Sequence, residues 1–220
     1  MIPYKLVIFD WDGTLMDSIS RIVSSMQAAA KCVQLDVPTD TQTKQIIGLS
    51  LHKAIETLFP QITAAEKKLF AQHYKHQYLE CNSTPTQLFD YTEELLAHLL
   101  THKCLLAVAT GKAREGLQHV WELTKTAHFF HASRCSDEVN SKPHPQMLTS
   151  LLTEFDLLPH EAVMIGDASY DMEMAQRAGI DAIAITSGAH ERAILLQYKP
   201  VAIVDSLIEL LPLLTSKKSE

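Results

Sequence analysis

The chain begins with a short apolar run, Leu6-Val7-Ile8-Phe9, that stops abruptly at Asp10-Trp11-Asp12-Gly13-Thr14. A run of that kind suits a strand buried on both faces, as in a parallel sheet. Carboxylates placed where such a strand ends lie at the C-terminal edge of the sheet, where open α/β folds hold their ligands. Gly13 allows another group to approach the turn backbone closely. Two acids one residue apart repel each other unless a cation or a shared proton offsets their charge. A solvated Asp-Gly turn after a strand is the ordinary alternative, and the rest of the chain has to separate the two.

After Asp17-Ser18, suitable helix N-caps, apolar residues recur with helical spacing at Ile19, Ile22, Val23, Met26, Ala30 and Val33. Further helices are predicted over 41–47, 51–59 and 63–79, punctuated by Pro38, Gly48 and Pro60, and Thr63 to Glu66 has the capping-box form. No strand-like run interrupts residues 16–84. Beyond Phe89 the texture changes. Apolar runs at 104–109, 162–165 and 182–185, with a weaker one at 202–204, alternate with helical segments near 92–102, 113–123, 145–156 and 170–178. Such alternation implies right-handed crossovers and a parallel sheet. The expected fold is therefore α/β, a doubly wound, Rossmann-like parallel sheet from residues 1–15 and 86–220 with an all-helical cap inserted at 16–85. Trp11 is expected to pack beside the first strand and Trp121 within a core helix.

The later strands also end in polar residues. The run at 104–109 leads into Thr110-Gly111-Lys112, where a hydroxyl and a helix start suit a phosphate oxygen, although a threonine there also serves as a plain helix cap. No glycine precedes Gly111-Lys112 at P-loop spacing. Ser141-Lys142-Pro143-His144-Pro145 precedes a helix, with Pro145 suited to its first turn, and Lys142 can neutralise a phosphoryl group and a carboxylate. Gly166-Asp167 ends the run at 162–165, and Asp171 follows one helical turn later. Four acids with Lys142 as the evident counter-charge make a pocket suited to Mg²⁺, a cation that takes oxygen ligands.

Composition narrows the function classes. Lys and Arg number 19 against 26 Asp and Glu, for a net charge of −7, so no basic surface for nucleic acid is expected. The lysine pair Lys217-Lys218 reads as a solvated tail. Cys32, Cys81, Cys104 and Cys135 are widely spaced and point to reduced thiols. The opening apolar segment is too short for a signal peptide, and no apolar stretch reaches the roughly 18 residues of a membrane span. A soluble cytoplasmic protein, monomer or homodimer, with no nucleic-acid or membrane partner is the expectation.

Together these motifs resemble the haloacid dehalogenase superfamily, in its phosphatase branch with a helical cap. Asp10-Trp11-Asp12-Gly13-Thr14 resembles the family's first motif, Thr110 its second, Lys142 its third, and Gly166-Asp167 through Asp171 its fourth. Ala109 to Lys112 and Ser141 to Pro145 are most similar to phosphoglycolate-phosphatase-like members. The resemblance implies a Mg²⁺-dependent phosphomonoester hydrolase of a small phosphorylated metabolite. Asp10 would be the nucleophile and Asp12 the general acid and base. Thr110, Gly111 and Lys142 would bind phosphate; Asp10, the carbonyl of Asp12, and Asp167 would bind the metal; Asp171 would orient a metal water or Lys142. Ala168 departs from the Thr or Ser of many relatives, which should alter hydrogen bonding without removing a ligand. A phosphomutase of the β-phosphoglucomutase type is the alternative, and a non-catalytic binding protein on this scaffold a third. Gly48 to Leu51 is read either as a loop closing over the site or as a plain helix–helix turn, and His52 and Lys53 as exposed helix residues.

Overall fold

In chain order the strands are β1 (Leu6–Phe9), β2 (Met16–Asp17), β3 (Gln87–Leu88), β4 (Leu105–Thr110), β5 (Ala132–Cys135), β6 (Ala162–Gly166), β7 (Asp181–Ile185) and β8 (Ala202–Val204). They are seen in a computed structural model that describes residues 4–215; Lys217 and Lys218 lie outside the described residues. Six of the strands form one parallel sheet in the order β5-β4-β1-β6-β7-β8. Phe9 is level with Val108 on one side and Ile165 on the other, so the tips of β1, β4 and β6 lie side by side.

The side-chain alternation of β1 explains its burial. Val7 and Phe9 join one core with Leu95, Leu96, Leu99, Leu117 and Val120, while Leu6 and Ile8 join a second with Met147, Leu148, Leu151 and Met174. The helices are α1 (Ile19–Cys32), α2 (Asp40–Lys44), α3 (Leu51–Leu58), α4 (Ala64–His76), α5 (Thr92–Thr101), α6 (Arg114–Thr124), α7 (Gln146–Phe155), α8 (Ser169–Ala178), α9 (Arg192–Leu195) and α10 (Leu210–Thr215). Helices α5, α6 and α10 supply the first core, and α7 and α8 the second. Trp11 is fully buried, meets Trp121 of α6 edge-on at 6.4 Å and donates its indole N–H to the Met16 sulfur.

Helices α1 to α4 enclose a separate core of Ile22, Val23, Met26, Ile46, Ile55 and Phe70. The capping boxes Thr39/Gln42 and Thr63/Glu66 start α2 and α4. Helix α4 stops at His76, and a π-helical turn, Gln77–Cys81, continues it, so the helix predicted to 79 changes pitch near its end. The ribbon β2–β3, edge strand β5 and the short helices α9 and α10 went unpredicted. The antiparallel ribbon β2–β3 pairs Met16 with Leu88 and Asp17 with Gln87, which corrects the reading that no strand falls within residues 16–84. Edge strand β5, Ala-Ser-Arg-Cys, is mostly half-exposed and carries no apolar run.

Truncating Ile8, which is fully buried under α7 and α8, leaves a cavity in a close-packed layer. Ile8→Ala should cost about 2–5 kcal/mol of unfolding free energy, read from the shift in urea midpoint. A loss below about 1 kcal/mol would mean that this layer is looser than its burial implies.

Candidate active site

Asp10 follows the last residue of β1, its amide donating to the Ile165 carbonyl at 2.9 Å. Its side chain is buried, as are those of Thr110 at the end of β4 and Asp167 just after β6. Lys142 reaches in from the loop before α7, fully enclosed, with Nζ 2.7 Å from Asp10 Oδ1 and 2.6 Å from Asp171 Oδ1. The lysine thus bridges one acid at the tip of β1 and another in the first turn of α8. Burial opposes its charge, but Asp10 and Asp171 outweigh that penalty and hold its pKa above the ordinary lysine value.

Asp167 is held tightly. Thr14 donates its hydroxyl to Oδ1 at 2.7 Å, and the Ala189 amide donates to Oδ2 at 2.8 Å. Gly13, at φ +80°, and Gly188 both lie against this carboxylate: a Cβ on either would approach Oδ2 to 2.4 Å and 2.0 Å. Among the described residues, Asp10, Asp167 and Asp171 are the acids that each offer an oxygen within 4.8 Å of the others. One ammonium does not balance three buried carboxylates, so the donor set fits a hard divalent cation. The Asp12 carboxylate lies elsewhere: its Oδ1 accepts from Ser18 Oγ at 2.5 Å and pairs with Lys112 Nζ at 3.0 Å.

Sequence reasoning missed Lys112. It rejected Gly111-Lys112 as a P-loop and gave the lysine no other part. Lys112 Nζ also donates to the Tyr78 hydroxyl at 3.3 Å and sits 4.8 Å from the centre of that ring, linking Asp12 to the helical block. Thr110 does not cap α6; its hydroxyl accepts from the Lys112 amide at 3.1 Å, and the helix starts later, after Ala113. Segment 186–190, after β7, was likewise missed, and only its glycine after a strand end could have flagged it. At Ala168 there is no side-chain cap for α8. The Asp171 carboxylate accepts from the Ala168 amide at 3.1 Å, and His190 Nδ1 accepts from the Ser169 amide at 2.9 Å, so a distant imidazole serves the helix start.

The Gly48–Leu51 loop rests on the site. A Cβ on Gly111 would come within 2.6 Å of the carbonyl oxygens of Gly48 and Leu49, and the Ser50 amide donates to Ser141 Oγ at 3.0 Å. Leu49 and Leu51 also pack on the helical core, so features of both readings hold, while His52 and Lys53 are exposed. His73 and His76 belong to no metal-binding cluster among the described residues.

A parallel sheet covered by helices, with buried acids converging at its strand tips, is the arrangement of an α/β protein whose ligand site lies at the C-terminal edge of the sheet. The chain belongs to the haloacid dehalogenase-like hydrolase family, whose sequence pattern matches residues 7–185. It is 29% identical over 210 residues to Pyrophosphatase PpaX of Bacillus mycoides, covering 95% of this chain and 96% of that protein. It is 32% identical over 211 residues to a Dickeya dadantii protein named Probable phosphatase IndB, covering 93% and 90%. Among solved structures, a predicted phosphoglycolate phosphatase from Haemophilus somnus superposes with a TM-score of 0.84 at 27% identity, covering 97% of this chain and 99% of that one. The chain is accordingly an enzyme, a phosphatase of this family. No helix among the described residues is long and apolar enough to cross a membrane.

Crowding among the acids has a cost in the absence of metal. Burial, and then the neighbouring acids, raise Asp167 to about 7, and burial holds Asp10 well above the usual carboxylate range despite Lys142. In the metal-free fold these groups keep protons that the unfolded chain has released, so the stability they contribute falls as pH rises from 3.8 to about 7. Urea midpoints of chelator-treated protein should decline over that window, and a divalent cation should restore them near neutrality. A midpoint that rises with pH and ignores the cation would contradict this reading of the cluster.

Proposed function

We propose that the chain is a Mg²⁺-dependent phosphomonoester hydrolase acting on a small phosphorylated metabolite, of the phosphoglycolate-phosphatase-like kind, through an aspartyl-phosphate on Asp10. The observation that carries this reading is the Lys142 ammonium, 2.7 Å from the buried Asp10 carboxylate at the sheet's central strand tip. That cation favours the ionised form of Asp10, the form that attacks phosphorus.

Asp10 forms the bond to phosphorus as the ester oxygen departs, and Asp12 gives that oxygen a proton. Asp12 then takes a proton from the water that cleaves the acyl phosphate. Ser18 and Lys112 both engage Oδ1 of Asp12, which leaves Oδ2 to carry the proton. Thr110, Gly111 and Lys142 hold the phosphoryl oxygens, and Asp171 keeps Lys142 in place through its 2.6 Å contact. Asp10, the backbone carbonyl of Asp12, and Asp167 would hold Mg²⁺, which when bound offsets the charge between nucleophile and phosphate. Residues 16–85 act as a cap over a catalytic core of 1–15 and 86–220, and their contact with Gly111 keeps bulk water out. The free thiols of Cys32, Cys81, Cys104 and Cys135 support a cytoplasmic setting.

Asp10→Asn should lower phosphate release from small phosphoesters by at least about 10³-fold while leaving the circular dichroism spectrum unchanged. Wild-type turnover in that variant would exclude Asp10 as the nucleophile. Activity should vanish in EDTA and return with excess Mg²⁺; turnover that persists under chelation would remove the metal from the mechanism.

A further inference from the structure

A cavity of about 130 Å³ opens from Asp10 and Asp12 into the helical block. Its far wall is apolar: Ile22, Met26, Ile46, Ile47, Leu49 and Leu79 line it, with the rings of Tyr74 and Tyr78 beside them. Among the described residues its cations are Lys75 and Lys112, and both are already engaged. Lys112 is 3.0 Å from Asp12, and Lys75, half-exposed at the rim, is 2.8 Å from Glu115. In this structure each lysine of the lining is paired with a carboxylate, and the apolar wall beyond them carries no charge of its own.

We infer that, although the motifs are phosphoglycolate-phosphatase-like, the leaving group is a small uncharged alcohol with an apolar body, aliphatic or aromatic, and that leaving groups bearing a second anion, glycolate included, are disfavoured. The inference rests on the proposed attack by Asp10, because that orientation directs the leaving oxygen toward this wall. A glycolate carboxylate, a second phosphate, or the second phosphate of a sugar bisphosphate would be desolvated against Ile22, Met26, Ile46 and Ile47 without a partner. The same argument disfavours the mutase reading. Size adds an upper limit: a cavity of about 150 Å³ lined by apolar side chains accepts benzene. A single six-membered ring or a short branched chain is thus of the size this space encloses. The Tyr74 and Tyr78 rings offer faces for such a group.

The test compares kcat/KM, with Mg²⁺ present, for isobutyl phosphate, benzyl phosphate, phosphoglycolate, pyrophosphate and glucose 1-phosphate. The two apolar esters should exceed the others by at least about tenfold. Leu79→Lys, at a partly exposed position on the wall, should narrow the gap to phosphoglycolate by about the same factor. Calorimetric affinities of isobutylphosphonate and phosphonoacetate, neither of which can be hydrolysed at an ester bond, read the wall without turnover. Tighter binding of isobutylphosphonate with no ester hydrolysed would show that the wall selects an apolar body, and would overturn the hydrolase reading and with it the assignment of the leaving group. Preference for phosphoglycolate or pyrophosphate in both turnover and binding would overturn the inference and leave the hydrolase reading standing.

Discussion

Everything at the sheet edge is arranged around a charge imbalance: Asp10, Asp167 and Asp171 lie within 4.8 Å of one another, buried, with the Lys142 ammonium between two of them. Water cannot dilute repulsion at that depth, so the fold has to compensate with fixed groups. The Thr14 hydroxyl, the Ala189 amide and the Ala168 amide are those groups, each directed at one carboxylate oxygen. What they leave uncompensated is an excess of buried negative charge, a donor set that suits a hard cation.

Backbone topology makes this crowding achievable. β1 is flanked by β4 on one side and β6 on the other, and the three tips are level, so residues more than 150 positions apart in sequence, Thr14 and Asp167, become neighbours. The positions that approach most closely carry no side chain. Gly13 and Gly188 close around Asp167, where any larger residue would collide with its carboxylate.

The parts of the molecule that were legible in sequence are those where burial is extreme. β1, β4 and β6 are enclosed by helices on both faces and so read as apolar runs. β5 sits at the sheet edge with Ser133 and Arg134 half-exposed, which erases that signal. The ribbon β2–β3 spans two residues per strand, too short for any periodicity. In the site, Asp10, Asp12, Thr110, Lys142 and Asp167 are visible because each follows or ends a recognisable element or motif. Lys112 and His190 are not, because what they do depends on partners far along the chain: Tyr78 and Asp12 for the first, the Ser169 amide for the second. No local pattern encodes those distances. Ala168 illustrates the point: it offers α8 no side-chain cap, and the Ser169 amide donates instead to the imidazole of His190.

The seam between the Gly48–Leu49 loop and Gly111 is made of main chain on both sides. Main-chain carbonyls are the same whatever residue carries them, so the closure does not depend on side-chain identity in the loop. Leu49 and Leu51 line the cavity and also pack on the helical core, so exchanging either one changes the pocket and the packing beneath it together while the main-chain contact stays.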